Sequence, residues 1–178
     1  MTNPLEENLI AKAQAAMDAN KGAAAVETAT ELASIDPKDA IVWYVKGRAH
    51  YSAGQFDDAL VAFSQAATIR NDRLEVWLMI GYTMIALRRY GEALPSLEFV
   101  KSTNPESMEA TCALCAVHSI LGHAAEAKEY ADQARKSDSN AASKILEAFF
   151  EDFFSKSPQV EASTKAMAER VLHGFKIS

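Results

Sequence analysis

Two cysteines and two histidines between positions 112 and 123 are the residues best suited to chemistry. The run "CALC" places Cys112 and Cys115 three residues apart, and His118 and His123 follow. Such a pair exchanges electrons where a helix N-terminus lowers a thiol pKa, and zinc is held where four ligands converge from separate segments. Here the pair lies in the middle of a predicted helix, which provides neither arrangement. We predict two free, packed thiols, with no metal and no cofactor.

Other catalytic signatures do not occur in the sequence. It contains no glycine-rich phosphate loop, no HExxH and no GxSxG string, and no histidine stands in a motif that would form a nucleophilic triad. We therefore expect a protein without enzymatic activity, whose function depends on binding.

Composition and charge narrow the class of partner. The chain of 178 residues is 49% hydrophobic and 24% charged, which is typical of one globular domain, residues 1–178. Its net charge of −6 argues against binding to nucleic acid or to anionic membranes. The start "MTNPLEENLI" has no basic region followed by an apolar one, and no apolar run is long enough to span a membrane. We expect a cytoplasmic protein.

The elements that position these residues follow a repeat of 34 residues. Identical or similar residues recur at this step, in the pairs Trp43 and Trp77, Gly47 and Gly81, Ala59 and Ala93, and Phe63 and Leu97. Residues that end or begin helices recur at the same step, at Pro37, Asn71, Pro105 and Ser139. The period divides the chain into units 6–39, 40–73, 74–107 and 108–141, with a degenerate unit 142–175.

Each unit is predicted to be a helical hairpin. Apolar residues recur at three- and four-residue spacing in two blocks, separated by turn signals such as "SAGQFD" and "RRYGE". Gly47 and Gly81 on the first helices, with Ala59, Ala66 and Ala93 on the second, allow two backbones to approach closely. One hairpin cannot bury its apolar face alone, so we expect the hairpins to stack.

The stretch "WYVKGRAH", followed by Ala59, Phe63 and Ala66, resembles the tetratricopeptide repeat, whose pattern is W-x2-L-G-x2-Y, then A-x3-F. "WLMIGYTM" in the next unit is similar. The resemblance implies an all-α fold: a right-handed superhelix of four hairpins plus a closing helix pair. It also implies a concave groove, lined by the first helix of each unit, that holds a peptide or helix of another protein.

Residues at the groove positions of the family are aromatic and aliphatic in the middle of this chain. The resemblance implies that the groove is lined by Tyr44, Arg48, Tyr51, Leu78, Met79, Tyr82, Ile85 and Cys112.

Family members that clamp the C-terminal carboxylate of chaperones use Lys, Asn and Arg at set positions. The matching positions here hold Ile10, Gln14, Val45, Glu75 and Met79. We therefore expect no such clamp, and a partner with apolar anchors instead.

A phenylalanine-rich segment, "KILEAFFEDFFSKSP", begins the closing unit. Its rings recur at helical spacing, at Phe149, Phe150, Phe153 and Phe154. They are expected either to pack on unit 108–141 and the last helix, or to drive self-association.

The leading hypothesis is thus an adaptor or chaperone that binds an apolar segment of a partner. A secretion-type chaperone for apolar segments of secreted proteins and a homo-oligomeric scaffold are the alternatives.

Pro95 lies inside a predicted helix and has no N–H to donate to the carbonyl of Gly91. We therefore expect a kink or a late helix start there.

Overall fold

The computed structural model describes residues 4–151 and residue 166. Every regular element among these residues is helical, which confirms the predicted all-α class. The chain forms two compact units, Met1–Thr83 (unit 1) and Met84–Ser178 (unit 2), and the boundary falls inside one helix. None of the described helices has the length and apolar content needed to cross a lipid bilayer.

Unit 1 consists of sequential antiparallel helices joined by short turns. Its helices are α1 (Pro4–Asp18), α2 (Gly22–Ile35), α3 (Ala40–Ser52), α4 (Phe56–Ile69) and most of α5 (Leu74–Ala86). Helix α1 packs on α2 and α3, α2 packs on α3, and α3 packs on α4. The interior is rich in alanine, which lets these helices approach closely. One buried cluster contains Leu9, Ala13, Ala25, Ala29, Leu32, Ala33, Val42, Val45 and Ala49.

First helices begin at matching positions of the repeat. Helices α3, α5 and α7 begin at Ala40, Leu74 and Met108, in steps of 34 residues. The carboxylate of Asp39 accepts a hydrogen bond of 2.8 Å from the backbone N–H of Ile41, and the hydroxyl of Ser107 accepts one of 3.2 Å from that of Ala110. These side chains satisfy N–H groups that have no partner inside the helix.

The two tryptophans tie first helices to the preceding turns. The indole N–H of Trp43 donates to the carbonyl of Pro37, and that of Trp77 donates to the carbonyl of Asn71, both at 2.8 Å. Both rings are half-buried, so each also contributes to packing. Their recurrence therefore serves to anchor the turn as well as to pack.

Unit 2 contains the end of α5, together with α6 (Tyr90–Thr103), α7 (Met108–Leu121) and α8 (Ala124–Phe150). Helix α6 packs on α7, and α7 packs on α8. Of the two outcomes expected at Pro95, the late start is wrong, because α6 begins at Tyr90 and runs through the proline, and the kink stays a prediction. Pro95 and Gly91 are both exposed, so water can bond to the carbonyl that loses its helical donor.

Helix α8 is two helices joined at Asp138, whose backbone is extended (φ −159°, ψ 103°). The Asp138 carboxylate accepts a hydrogen bond of 2.9 Å from the N–H of Ala141, in the manner of an N-cap. The second segment therefore begins close to Ser139, where the repeat places a helix boundary. It is the first helix of the predicted closing pair, and the rest of that pair lies outside the described residues.

Candidate functional site

Six of the eight predicted groove residues are half-buried and belong to unit 1. Three lie on α3 and three on α5, and we call them the α3–α5 set: Tyr44, Arg48, Tyr51, Leu78, Met79 and Tyr82. Half-buried aromatic and aliphatic side chains have one side fixed by the core and another available for contact. Side chains of this kind could contact an apolar ligand.

Tyr44 is fixed between a buried ring and a cation. Its ring centroid lies 5.9 Å from that of Phe63, at an interplanar angle of 50°, and Phe63 on α4 is fully buried. The Cζ atom of Arg48 lies 5.9 Å from the centroid of the Tyr44 ring. Burial raises the pKa of the Tyr44 hydroxyl, and the charge of Arg48 opposes that rise. At neutral pH the hydroxyl is therefore a neutral donor.

Charges at the start of α5 act on Tyr44. The charges of Glu75 and Arg73 act on the pKa of Tyr44, Glu75 raising it and Arg73 lowering it. Arg73 itself pairs with Glu75, with its Nε 2.6 Å from a carboxylate oxygen. Residues of α3 and of the N-terminal turn of α5 therefore contribute to one electrostatic environment.

Tyr51 lies near the C-terminal end of α3. Its ring meets that of Phe56 edge to face, with centroids 5.3 Å apart and an interplanar angle of 66°. Phe56 is the first residue of α4, so the contact fixes the tyrosine against the turn between the two helices. Such aromatic pairs hold side chains in one orientation, which reduces the entropy lost when a ligand binds.

The structure corrects the expectation for Ile85 and Cys112. Ile85 is only 1% exposed and Cys112 is completely buried, so neither side chain can contact a ligand. Cys112 packs in a cluster with Ala142 and Leu146, and its thiol lies 3.9 Å from the carbonyl of Ala142. The physical reason is the second segment of α8, which covers this face of α7.

Phe149 is likewise buried, with 6% of its surface exposed, and Leu146 one turn earlier is 4% exposed. For Phe149 this supports packing rather than self-association. The side chain of Phe150, and all of Phe153 and Phe154, lie outside the described residues.

The two thiols lie in an environment that suppresses their chemistry. Burial raises the pKa of both Cys112 and Cys115 to about 12, so the nucleophilic thiolate is scarce at neutral pH. The Cys115 thiol lies 3.4 Å from the carbonyl of Ala127 on α8. Within residues 4–151 and 166, no three His, Cys, Asp or Glu side chains converge as ligands for a metal ion.

Sequence reasoning named His118 and His123 but did not predict that their rings meet at the end of α7. The Nδ1 atoms of His118 and His123 lie 3.2 Å apart, and the buried His118 ring stacks on Tyr130 at 5.6 Å and 19°. Burial, followed by the charge of His123, lowers the pKa of His118. The pair is joined across the turn at Gly122, which adopts a left-handed conformation (φ 77°) and brings the two rings together. That glycine was the sequence signal for the turn.

Comparisons with known proteins agree with this architecture. Residues 10–73 match the model of the tetratricopeptide repeat family. No match to the chain was found among curated proteins. Similar solved structures include MamA 41-end from Desulfovibrio magneticus RS-1, which is 15% identical, with a TM-score of 0.73 over 99% of this chain and 96% of that one.

Two further structures carry tetratricopeptide repeats in their descriptions. YrrB, described as a tetratricopeptide protein with an unusual peptide-binding site, is 16% identical, with a TM-score of 0.65 over 96% of this chain and 91% of that one. The Arabidopsis OM64 tetratricopeptide domain is 22% identical, with a TM-score of 0.57 over 61% and 89%. At these identities the likeness shows the fold, and it confirms the predicted solenoid class. Residues 10–73 therefore match the tetratricopeptide repeat family, and the fold of the described residues is similar to that of solved tetratricopeptide repeat structures.

Proposed function

We propose that the protein is a non-enzymatic binding module, and that the α3–α5 set holds an apolar peptide or helix of a partner protein. One observation carries the proposal. Tyr44 is half-buried, with its ring fixed between Phe63 and Arg48, on the helix where the family places its groove. A preorganised aromatic ring of this kind is a typical anchor of protein interfaces.

The fold supports the coarser part of this proposal, since tetratricopeptide repeats serve as interaction adaptors. The described peptide-binding site of YrrB adds an example of peptide recognition on the same fold. Tyrosine, arginine and methionine are also enriched in interface cores, and the α3–α5 set contains all three. The proposal places the protein in the cytoplasm, in keeping with two cysteines that remain unpaired thiols.

A displayed library of random peptides, selected on the purified protein, tests the proposal. We expect enriched peptides to carry aromatic or aliphatic anchors. The triple variant Tyr44→Ala, Leu78→Ala, Tyr82→Ala should weaken their binding at least about tenfold, which corresponds to about 1.4 kcal/mol. Val61→Ala is the matched control, because Val61 is 69% exposed on α4 and lies outside the set.

Circular dichroism of each variant separates loss of binding from loss of fold. If the folded triple variant binds the selected peptides as tightly as the wild type, the site lies elsewhere. Sedimentation over a range of concentrations tests the scaffold alternative, which requires the mass to rise above the 19.4 kDa of one chain.

A further inference from the structure

Arg48 differs in its ion pairing from four other arginines of the described chain. Four arginines carry an ion pair with a neighbouring carboxylate: Arg70 with Asp72, Arg73 with Glu75, Arg89 with Glu92 and Arg135 with Asp132. Within the described residues, Arg48 has no carboxylate at ion-pair distance. Its one recorded contact is with the ring of Tyr44. Arg48, a half-buried residue, thus has its guanidinium near an aromatic ring and no counter-ion within the part of the chain that the structure describes.

The charged residues that act on Tyr44 do not neutralise the positive charge of Arg48. Glu75 is the acidic residue that acts on Tyr44, and it is bonded to Arg73, with one guanidinium nitrogen 2.5 Å from its carboxylate. The local sum of Arg48, Arg73 and Glu75 is therefore one positive charge, on a chain with a net charge of −6. A partial loss of water around Arg48 strengthens its attraction for an incoming anion.

We propose that Arg48 is a carboxylate-binding subsite of the α3–α5 set, which receives an aspartate or glutamate side chain next to the apolar anchor of the bound segment. The inference rests on the proposed function. Guanidinium groups bind carboxylates through two parallel hydrogen bonds, and stacking on an aromatic ring leaves the edges of the group available for them. The bound segment therefore combines an apolar residue on Tyr44 with an acidic residue close by in its sequence.

A carboxylate fits this subsite better than a phosphate. Phosphate-bearing motifs are recognised by clusters of arginines, and the nearby Arg73 is already engaged by Glu75. A single guanidinium beside a ring matches one carboxylate instead.

The test uses acidic peptides selected on the full chain and their neutral partners, in which Glu is replaced by Gln or Asp by Asn. We expect neutralisation of the peptide side chain to weaken binding to the wild type at least about tenfold. Arg48→Gln should weaken binding of the acidic peptide to a similar extent and leave the neutral peptide unchanged. Arg48→Lys should restore only part of the affinity, because an ammonium group cannot form the paired hydrogen bonds.

Arg70→Gln is the control for general charge effects, since Arg70 is exposed in the same unit and paired with Asp72. An amidated form of each peptide distinguishes a side-chain carboxylate from the chain terminus. If amidation weakens binding and side-chain neutralisation does not, the proposal is overturned.

Different experimental results would refute the subsite and the proposed function. If Arg48→Gln binds acidic and neutral peptides as the wild type does, while the triple variant at Tyr44, Leu78 and Tyr82 loses both, only the carboxylate subsite is refuted. If no peptide is enriched, or if the triple variant binds normally, the proposed function itself is refuted and the subsite with it.

Discussion

Gly47 on α3 and Phe63 on α4 lie so close that no side chain fits between them. A Cβ atom at Gly47 would be 2.5 Å from two ring carbons of Phe63, a separation that real Cβ atoms do not show. Phe63 is fully buried and also supports Tyr44, so it has little freedom to move. This crossing is the physical reason for a glycine in the middle of a helix, where it costs about 1 kcal/mol relative to alanine.

Replacement of Gly47 by alanine should therefore destabilise the protein, although alanine favours helix formation. Overpacking of a core typically costs about 1–3 kcal/mol, which exceeds the gain in helix propensity of about 1 kcal/mol. We expect Gly47→Ala to lower the free energy of unfolding in urea by up to about 2 kcal/mol, the difference between the two terms.

Gly91 provides the opposite prediction on α6. A Cβ atom there would meet nothing within 4 Å, so the substitution would change only the helix propensity of the residue. We expect Gly91→Ala to raise the free energy of unfolding by about 0.5–1 kcal/mol. Equal effects of the two substitutions in urea unfolding would contradict the close contact between Gly47 and Phe63.

The aspartate between the two segments of α8 should stabilise the second segment. Its carboxylate accepts from the N–H of Ala141, and loss of such a cap typically costs about 1 kcal/mol. Asp138→Ala is expected to reduce the free energy of unfolding by about that amount. Asp138→Asn keeps a capping oxygen and should retain most of the stability. If both variants match the wild type in urea unfolding, the cap contributes nothing.

The thiols of Cys112 and Cys115 should be inert in the folded protein. Both are completely buried, and burial raises the pKa of each to about 12. An aromatic disulfide reagent at neutral pH should label neither residue in the native state and both in denaturant. Val61→Cys places a thiol on an exposed position of α4 and should react at once. Native labelling as fast as that of this added thiol would contradict the burial.

Protonation of His118 should destabilise the fold. Burial and the charge of His123 lower its pKa below the usual 6.5, while Glu126 and Glu98 oppose the shift. Because the unfolded chain binds this proton more readily, stability is fully present above pH 6.5 and is lost as the pH falls below that value. His118→Phe keeps an aromatic ring against Tyr130 and removes the titration.

We expect the free energy of unfolding to fall more steeply below pH 6.5 in the wild type than in His118→Phe. Equal slopes for the wild type and His118→Phe would show that this histidine does not couple folding to pH.

The local architecture could be read from the sequence because its signals are local. Helix starts follow from capping residues such as Asp39 and Ser107, and hairpins follow from apolar spacing and turn residues. These signals recur at the 34-residue step, so the resemblance to the tetratricopeptide repeat and the all-α class were predictable. Pro95 shows the limit, because an exposed carbonyl at Gly91 tolerates the missing donor and the helix need not start later.

Position within the repeat determined which residues were candidates for the site, and only packing decided which remain accessible. Ile85 and Cys112 occupy groove positions but are buried, and Cys112 is covered by the second segment of α8, a contact that no local pattern describes. The lack of a counter-ion at Arg48 among the described residues and the meeting of His118 with His123 likewise depend on three-dimensional neighbours. Sequence alone therefore determined the repeat and its helices, while tertiary contacts decided the burial and charge environment on which binding depends.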